Sequence, residues 1–250
     1  MEIHGVPIDD TYAEAFPTWI SRIIITAVNT EWARKAATEA TGFATSAIGC
    51  PCEAGIESEL RADQTPDGRP GVSILICAAK KKLKEQVVER LAECVLTSPT
   101  TAVFDGLPQA AEKIAVKLHF FGDGYEQKCS VGGRQCWKIP IMQGEYIGEE
   151  RFGTIKGIAG GNFLVMGKEH QSALAAAEAG VSAIAGMPGV VMSFAGGIVA
   201  SGSKVGCKNY RFPMPASTSH ALCPSLRGSV TDSQVPDGVH AIYEIVINGL

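Results

Sequence analysis

The sequence predicts an α+β fold built of two ferredoxin-like (β-α-β-β-α-β) lobes, the second of them incomplete in this chain. Three observations support this prediction: β-branched runs alternate with amphipathic segments, both halves show these elements in the same order, and the halves share a phrase. That phrase is "EAGIE" at 53–57 and "AGGIVAS" at 195–201. We expect one lobe over residues 1–150, with an inserted β region, and the other over residues 151–250.

The first half opens with the β-branched run "RIIITA" at 22–27, which predicts a strand. The next segment predicts a helix that begins at Asn29 or Thr30 as its cap and ends at Gly42. The apolar residues of "FATSAIGC" at 43–50 then favour a second strand.

The unit continues with the buried strand "GVSILICA" at 71–78 and a helix over 80–96. That helix has an apolar stripe made of Leu83, Val87, Val88, Leu91, Ala92 and Val95. A strand at 100–104 closes the unit. Residues 105–157 read as an elaborated β region, in which Gly132-Gly133 marks a hairpin between alternating runs.

The second half repeats the order with a strand at 162–167, a helix over 170–186 and a strand at 189–194. The predicted helix places Leu174, Ala177, Val181 and Ile184 on one side. After a Gly/Ser/Pro-rich excursion, "AIYEIVING" at 241–249 occupies the place that 71–78 holds in the first half. If the repeat is real, one further helix and strand are expected, so we expect the sequence to be incomplete at its C-terminal end. The alternative is that 241–249 is a final edge strand.

Composition excludes several function classes. With 46% apolar and 19% charged residues the chain is globular, and a net charge of -4 gives no electrostatic basis for binding nucleic acid. Glycines and a proline interrupt the weakly charged stretch 171–203, which argues against a membrane span. The eight cysteines form no CxxC pair, so we expect reduced thiols in the cytoplasm and no metal site.

Two glycine-rich stretches invite comparison with nucleotide-binding loops. In "GGIVASGSK", Gly202 is followed by Ser203 and then Lys204, which is the wrong order for a Walker A loop. A loop whose backbone N–H groups approach a ligand oxygen and a tight packing turn both stay open. The glycines of "GIAGGNF" at 157–163 precede a strand rather than follow one, which excludes a dinucleotide fingerprint.

Two further stretches have both a functional and a structural interpretation. "CPCE" at 50–53 could be a redox or metal element, but structural thiols at a strand end are the better interpretation. "QTPDGRPG" at 64–71 has strong loop chemistry immediately before a strand. It is either a functional loop held by a rigid scaffold or a plain surface turn.

Glu244 is the sharpest candidate, because it is a carboxylate inside an otherwise apolar strand. Alternation puts Ile242, Glu244, Val246 and Asn248 on one face, and the opposite face is also largely apolar. Burial among apolar neighbours raises the pKa of a carboxyl, which suits it to donate a proton near neutral pH. The alternative is a glutamate at a solvated edge or paired with a lysine.

Several long phrases along the whole chain resemble one family, formylmethanofuran–tetrahydromethanopterin N-formyltransferase. They are "EATGFATS", "CPCEAGIE", "TPDGRPGV", "CVLTSPTTAVFDGLP", "FFGDGY", "GIAGGNF", "FAGGIVASGSK" and "YEIVINGL". The resemblance implies two ferredoxin-like lobes and members longer by about one helix and one strand. It implies formyl transfer between methanofuran and tetrahydromethanopterin as carrier co-substrates, with no permanently bound cofactor, no metal and no covalent enzyme intermediate.

The resemblance also implies roles for individual residues. Glu244 matches the glutamate at the reaction centre, where it would bind or protonate the developing oxyanion or relay the proton of the attacking amine. The implied substrate-binding residues, lining a cleft at a subunit contact, are Cys50, Pro51, Glu53, Arg69, Pro70, Gly71, Gly197, Ile198, Ser201 and Ser203.

The resemblance implies a homo-oligomer, a dimer or tetramer, and the weakly charged helix 173–185 is a candidate for its contact. Ala44 and Cys52 resemble the bacterial forms that work in a formyltransferase/hydrolase complex, and Ala195 replaces the usual proline of its turn. Two alternatives stay open: a non-catalytic docking subunit of a formyl-releasing complex, and a redox or metal protein built on the cysteines.

Overall fold

The computed structural model describes residues 1–9, 11 and 15–250. The helices of the described residues are α1 (Thr30–Thr41), α2 (Lys80–Arg90) and α3 (His170–Ile184). The strands are β1 (Glu2–Ile3), β2 (Val6–Pro7), β3 (Phe16–Thr26), β4 (Glu53–Leu60), β5 (Gly71–Ala78), β6 (Ala102–Asp105), β7 (Glu112–Ala115), β8 (Gln127–Val131), β9 (Arg134–Ile141), β10 (Gly144–Glu149), β11 (Arg151–Gly167), β12 (Val190–Val191), β13 (Lys204–Val205), β14 (Ala216–Ser217) and β15 (Ala241–Gly249). The α+β class is confirmed.

The first half forms an antiparallel sheet in the order β4-β5-β3-β6, covered on one face by α1 and α2. Helix α1 begins and ends as predicted. Asn29 caps its beginning by accepting a hydrogen bond from the Trp32 backbone N–H at 2.9 Å, and Gly42 follows its last residue. Its buried face is made of small residues that allow close approach to the sheet: Ala33, Ala36, Ala37 and Ala40. Helix α2 continues through a π-helical turn, Leu91–Val95, whose Leu91 and Val95 lie in the core as the predicted stripe requires.

The predicted strand at 43–50 is wrong. Those residues form turns, and the second strand of the unit is β4. Phe43 has a positive φ of 45°, and the Cys50 N–H donates to the Ser46 carbonyl at 2.7 Å. Local turn chemistry therefore outweighs the apolar composition of this segment.

The inserted region extends the same sheet. Strands β8 and β9 form the predicted hairpin, and Gly132 and Gly133 have the positive φ values of 55° and 77° that its turn requires. Strand β9 pairs with β10, and β10 runs parallel to β6.

Strand β11 is 17 residues long and belongs to both halves of the molecule. It pairs with β7 and β3 through its first part and with β15 from Ile158 onward, with a register shift between Ile158 and Gly161. The predicted helix and last strand of this half are confirmed as α3 and β15. The predicted strand at 189–194 shortens to β12, because the chain turns through a short 3-10 helix at Ala195–Gly197.

Helix α3 packs on β11 and β15 through a face that includes the predicted Ala177, Val181 and Ile184, the last two half-buried, but not Leu174. Ala173 and Ala177 are its buried residues, whereas Leu174 keeps 37% of its surface exposed. No helix of the described residues is both long and apolar enough to cross a membrane.

Candidate functional site

Glu244 lies in the middle of β15, where the chain segment after β12 comes back to meet it. Its backbone N–H donates to the Val199 carbonyl at 2.9 Å and its carbonyl accepts from the Val199 N–H at 2.8 Å. Its Oε1 accepts a hydrogen bond from the Asn162 amide at 2.5 Å. The side chain is half-buried, so it lies in a less enclosed place than its apolar neighbours in the sequence predict.

The two faces of β15 have different neighbours. Ile245 is fully buried and points toward α3, since a Cβ on Gly180 would lie 3.1 Å from its Cδ1. Glu244 and Asn248 alternate with it and lie on the face away from that helix. The carboxylate is therefore open to approach from the side that α3 does not cover.

The glycine-rich segment beside Glu244 is a packing turn. Gly196 and Gly197 have positive φ values of 62° and 76°, and Gly197 is buried. A Cβ on Gly197 would lie 2.9 Å from Cγ2 of Val181 in α3, so only glycine fits there. The close approach to Val181 therefore explains why position 197 is a glycine.

Beyond that turn the segment opens outward. Ile198 is half-buried, whereas Ser201 and Ser203 are exposed. Because Val199 pairs with Glu244, its neighbours Ile198, Ser201 and Ser203 also lie near Glu244. Their hydroxyls lie on the solvent side, where a ligand could reach them.

The loop before β4 is joined to the strand of Glu244 through Glu53. One oxygen of Glu53 accepts from the Ala47 N–H at 2.9 Å and the other from the Asn248 amide at 2.6 Å. Asn248 is fully buried and its Oδ1 accepts from the Gly160 N–H at 2.9 Å. The Ser193 hydroxyl adds a bond of 2.6 Å to the Thr45 carbonyl. The loop containing Cys50, Pro51 and Glu53, the 193–199 segment and β15 therefore meet at one place.

The two cysteines of "CPCE" have different environments. Cys52 is buried, and burial raises the pKa of its thiol. Cys50 is half-buried, and burial again raises its pKa, whereas hydrogen bonds with Ser46 and Thr45 lower it. The charge of Arg90 lowers it further, so the pKa of the Cys50 thiol lies below its ordinary value. Cys50 is therefore the more exposed thiol of this pair and the one with the lower pKa.

The loop Arg69-Pro70-Gly71 lies elsewhere. Gly71 and Cys77 are six residues apart on β5, and Cys77 pairs with Glu53, so roughly 20 Å of strand separates the loop from the Glu53 end. The Arg69 guanidinium donates to Asp67 at 2.7 Å and to the Thr100 carbonyl at 2.6 Å, and it lines a separate cavity of about 420 Å³. Within one chain the structure does not bring this loop to Glu244.

Sequence reasoning missed the residues that join the two halves, above all Glu57. Its carboxylate accepts from Arg22 at 2.6 and 2.8 Å, from the Ser73 hydroxyl at 2.6 Å and from the Gly189 backbone N–H at 2.5 Å. Burial raises the pKa of Glu57, but the hydrogen bonds from Arg22, Ser73 and Gly189 outweigh it and hold that pKa below its ordinary value. A glutamate inside a buried strand was the available signal, the same one that singled out Glu244.

Asn162 and Asn248 were also missed as parts of the site.

Among the residues that the structure describes, no group of three or more His, Cys, Asp or Glu side chains is arranged to hold a metal ion. Two halves of the chain that share a sheet, with a half-buried carboxylate and exposed hydroxyls close to one another, fit a transferase that holds two reactants together.

Comparison with known proteins makes this class specific. The family described as formylmethanofuran-tetrahydromethanopterin formyltransferase matches residues 1–141, and its proximal-lobe family matches residues 144–250. The chain belongs to this family, whose members are transferases of one-carbon metabolism.

Named relatives support the assignment. The formylmethanofuran–tetrahydromethanopterin formyltransferase of Methanocaldococcus jannaschii is 56% identical over 256 residues, which cover 100% of this chain and 85% of that protein. The enzyme of Archaeoglobus fulgidus is 54% identical with the same coverage.

Two solved structures have the same fold. The formyltransferase of Methanosarcina barkeri superimposes with a TM-score of 0.96 at 53% identity, covering 100% of this chain and 85% of that one. A chain of the formyltransferase/hydrolase complex of Methylorubrum extorquens, solved in complex with methylofuran, gives 0.93 at 41% identity, covering 100% and 82%.

Proposed function

We propose that this protein transfers a formyl group between formylmethanofuran and tetrahydromethanopterin. The observation that carries the proposal is the position of Glu244, half-buried at the lobe junction with one carboxylate oxygen held by Asn162. Relatives that are 54% and 56% identical to this chain over the aligned residues have the same activity in their names.

The proposed mechanism is direct transfer in a ternary complex. An amine of one carrier attacks the formyl carbon held by the other and forms a tetrahedral intermediate that is not bonded to the enzyme. The C–N bond to the donor carrier then breaks, and the proton lost by the attacking amine goes to the amine that leaves. The attacking amine is already a competent nucleophile, so no serine or cysteine attack is needed. The protein contributes by holding both carriers together and by excluding water from the reacting carbon.

Glu244 is the proposed catalytic residue. The Asn162 amide occupies Oε1, which leaves Oε2 to hydrogen-bond or protonate the developing oxyanion, or to relay the proton that leaves the attacking amine. The role requires the carboxyl to be enclosed once the carriers are bound.

The proposed substrate-binding residues fall into two groups. The group near Glu244 consists of Cys50, Pro51, Glu53, Gly197, Ile198, Ser201 and Ser203. The remote group, Arg69, Pro70 and Gly71, would complete a cleft only when supplied by another subunit. We therefore propose a homo-oligomer, a dimer or tetramer, in which Arg69 of one copy serves the cleft of the next.

We further propose that the enzyme acts without a permanently bound cofactor or metal and works in the cytoplasm, where the reduced thiols it carries are stable. The two halves are proposed to be ferredoxin-like lobes over residues 1–150 and 151–250. The strand orders β4-β5-β3-β6 and β12-β15-β11 and the two family matches on either side of residue 142 support this division.

Substitution of the carboxyl tests the proposal. Glu244→Gln keeps the shape and an oxygen for Asn162 but cannot exchange a proton, so formyl transfer should fall by about 100-fold or more. The assay follows formyl appearance on each carrier, and binding of each carrier should be retained. Glu178→Gln, an exposed glutamate on α3, is the matched control and should keep full activity.

The same assay separates the second candidate, a docking subunit for a formyl-releasing complex. Such a subunit would show no transfer in the wild-type protein but would still bind a partner. A Glu244→Gln protein that turns over at the wild-type rate would refute the proposed mechanism.

A further inference from the structure

The segment 206–240 leaves the candidate site and returns to it, yet it has almost no core of its own. Between residues 200 and 240, all of which the structure describes, Val235 is the only buried residue. Its regular structure is β14, which pairs over two residues with β13 just before the segment, and two short 3-10 helices. Polar contacts, rather than burial of apolar surface, must therefore fix this segment.

Three titratable side chains form a hydrogen-bonded chain through it. Lys204 Nζ lies 2.7 Å from His220 Nδ1, and His220 Nε2 lies 3.0 Å from Asp232 Oδ2. An ammonium can only donate, so Nδ1 must accept and Nε2 must carry the hydrogen that Asp232 accepts. The hydrogen bond from His220 holds the pKa of Asp232 below its ordinary value.

These bonds join points that are far apart in sequence. The first links residues 16 apart and the second links residues 12 apart, so together they close most of the segment. Lys204 follows five residues after Val199, which pairs with Glu244. At the other end, the His240 N–H donates to the Gly167 carbonyl at 2.9 Å, immediately before β15.

We propose that Lys204, His220 and Asp232 form a latch that ties segment 206–240 to residues 197–203 and so positions the substrate-binding residues beside Glu244. The inference rests on the proposed function. His220 acts through Lys204 and is a positioning residue, not a catalytic one.

Variants of His220 test the latch. His220→Phe removes both bonds, and the KM for one carrier should rise by about tenfold while kcat changes less than about twofold. His220→Asn offers an amide oxygen to Lys204 and should restore KM to within about twofold of the wild-type value. Lys208→Met removes an exposed lysine of the same segment and is the control, with unchanged kinetics.

Limited proteolysis gives a readout that does not depend on catalysis. Cleavage within 206–240 should be faster in His220→Phe than in the wild-type protein or in Lys208→Met. An unchanged KM in His220→Phe would overturn the proposal, whatever the cleavage rate. Absence of formyl transfer in the wild-type protein would overturn the proposed function instead, and the cleavage comparison would still decide whether the latch exists.

Discussion

The two proposed lobes are stabilised in different ways. In the first, every residue of β5 is buried and two helices cover the sheet. In the second, α3 buries only Ala173 and Ala177 among its 15 residues. Polar contacts to the first lobe compensate, since Glu57 holds the Gly189 N–H and Glu53 holds Asn248. The comparison teaches that polar contacts with the first lobe help to hold the second, which carries Glu244.

The largest expected effect is in the core of the first lobe. Ile74 is fully buried between the sheet and its helices, so Ile74→Ala should lower the free energy of unfolding by about 4 kcal/mol through lost burial and a cavity. Denaturant unfolding measures this value. A loss below about 1 kcal/mol would mean that the first lobe is not the better packed one.

The contact between the lobes comes next. Glu57→Gln cannot pair with Arg22 as a carboxylate does, and it leaves fewer acceptors for Ser73 and Gly189, so the cost should be about 3 kcal/mol. Glu59→Gln, an exposed position on the same strand, is the matched control. Equal unfolding energies for the two variants would show that Glu57 does not join the lobes.

The lowered pKa of Glu57 sets the pH dependence of that contact. Because the pKa in the folded state lies below the unfolded value of about 4.3, the stabilisation is fully present above that pH and is lost as pH falls through the folded pKa. The gap in unfolding energy between wild type and Glu57→Gln should therefore narrow in acid. A gap that stays constant from neutral pH down to about pH 3 would contradict this assignment.

The smallest effect is expected on α3. Leu174 keeps 37% of its surface exposed, so Leu174→Ala should cost less than about 1 kcal/mol in dilute monomeric protein. A larger cost that grows with protein concentration would indicate that another subunit covers this helix.

The elements with strong local patterns could be predicted from sequence. Helix α1 has a cap, an alanine face and a glycine stop, and β5 is a continuous apolar run, so both were located closely. The segment 43–50 has strand-like composition, but its hydroxyl side chains and Gly49 form turns, which only the folded context decides. Glu57 lies in β4, the strand that follows this segment. A strand predicted over 43–50 therefore does not reveal that this carboxylate is buried in a strand.

The candidate site likewise contains residues that the sequence indicates and residues that it does not. Glu244 stood out because a charge in an apolar strand is unusual, and the Val199 pairing brings the glycine-rich segment to it. Its partners Asn162 and Asn248 depend on the register of β11 against β15, which no short motif specifies. The position of Arg69 depends on which end of β5 its loop occupies, and that is a property of the sheet order rather than of the loop.

Strand β11 has one more consequence. A single stretch of backbone pairs with strands of both halves. Adding or removing a residue within it therefore shifts the register on one side or requires a bulge, such as the register shift between Ile158 and Gly161. Insertions and deletions among relatives should therefore occur mainly in the segment 206–240 before β15, where added residues only enlarge a loop. The protein can thus change length in the segment 206–240 while strand β11 keeps its length.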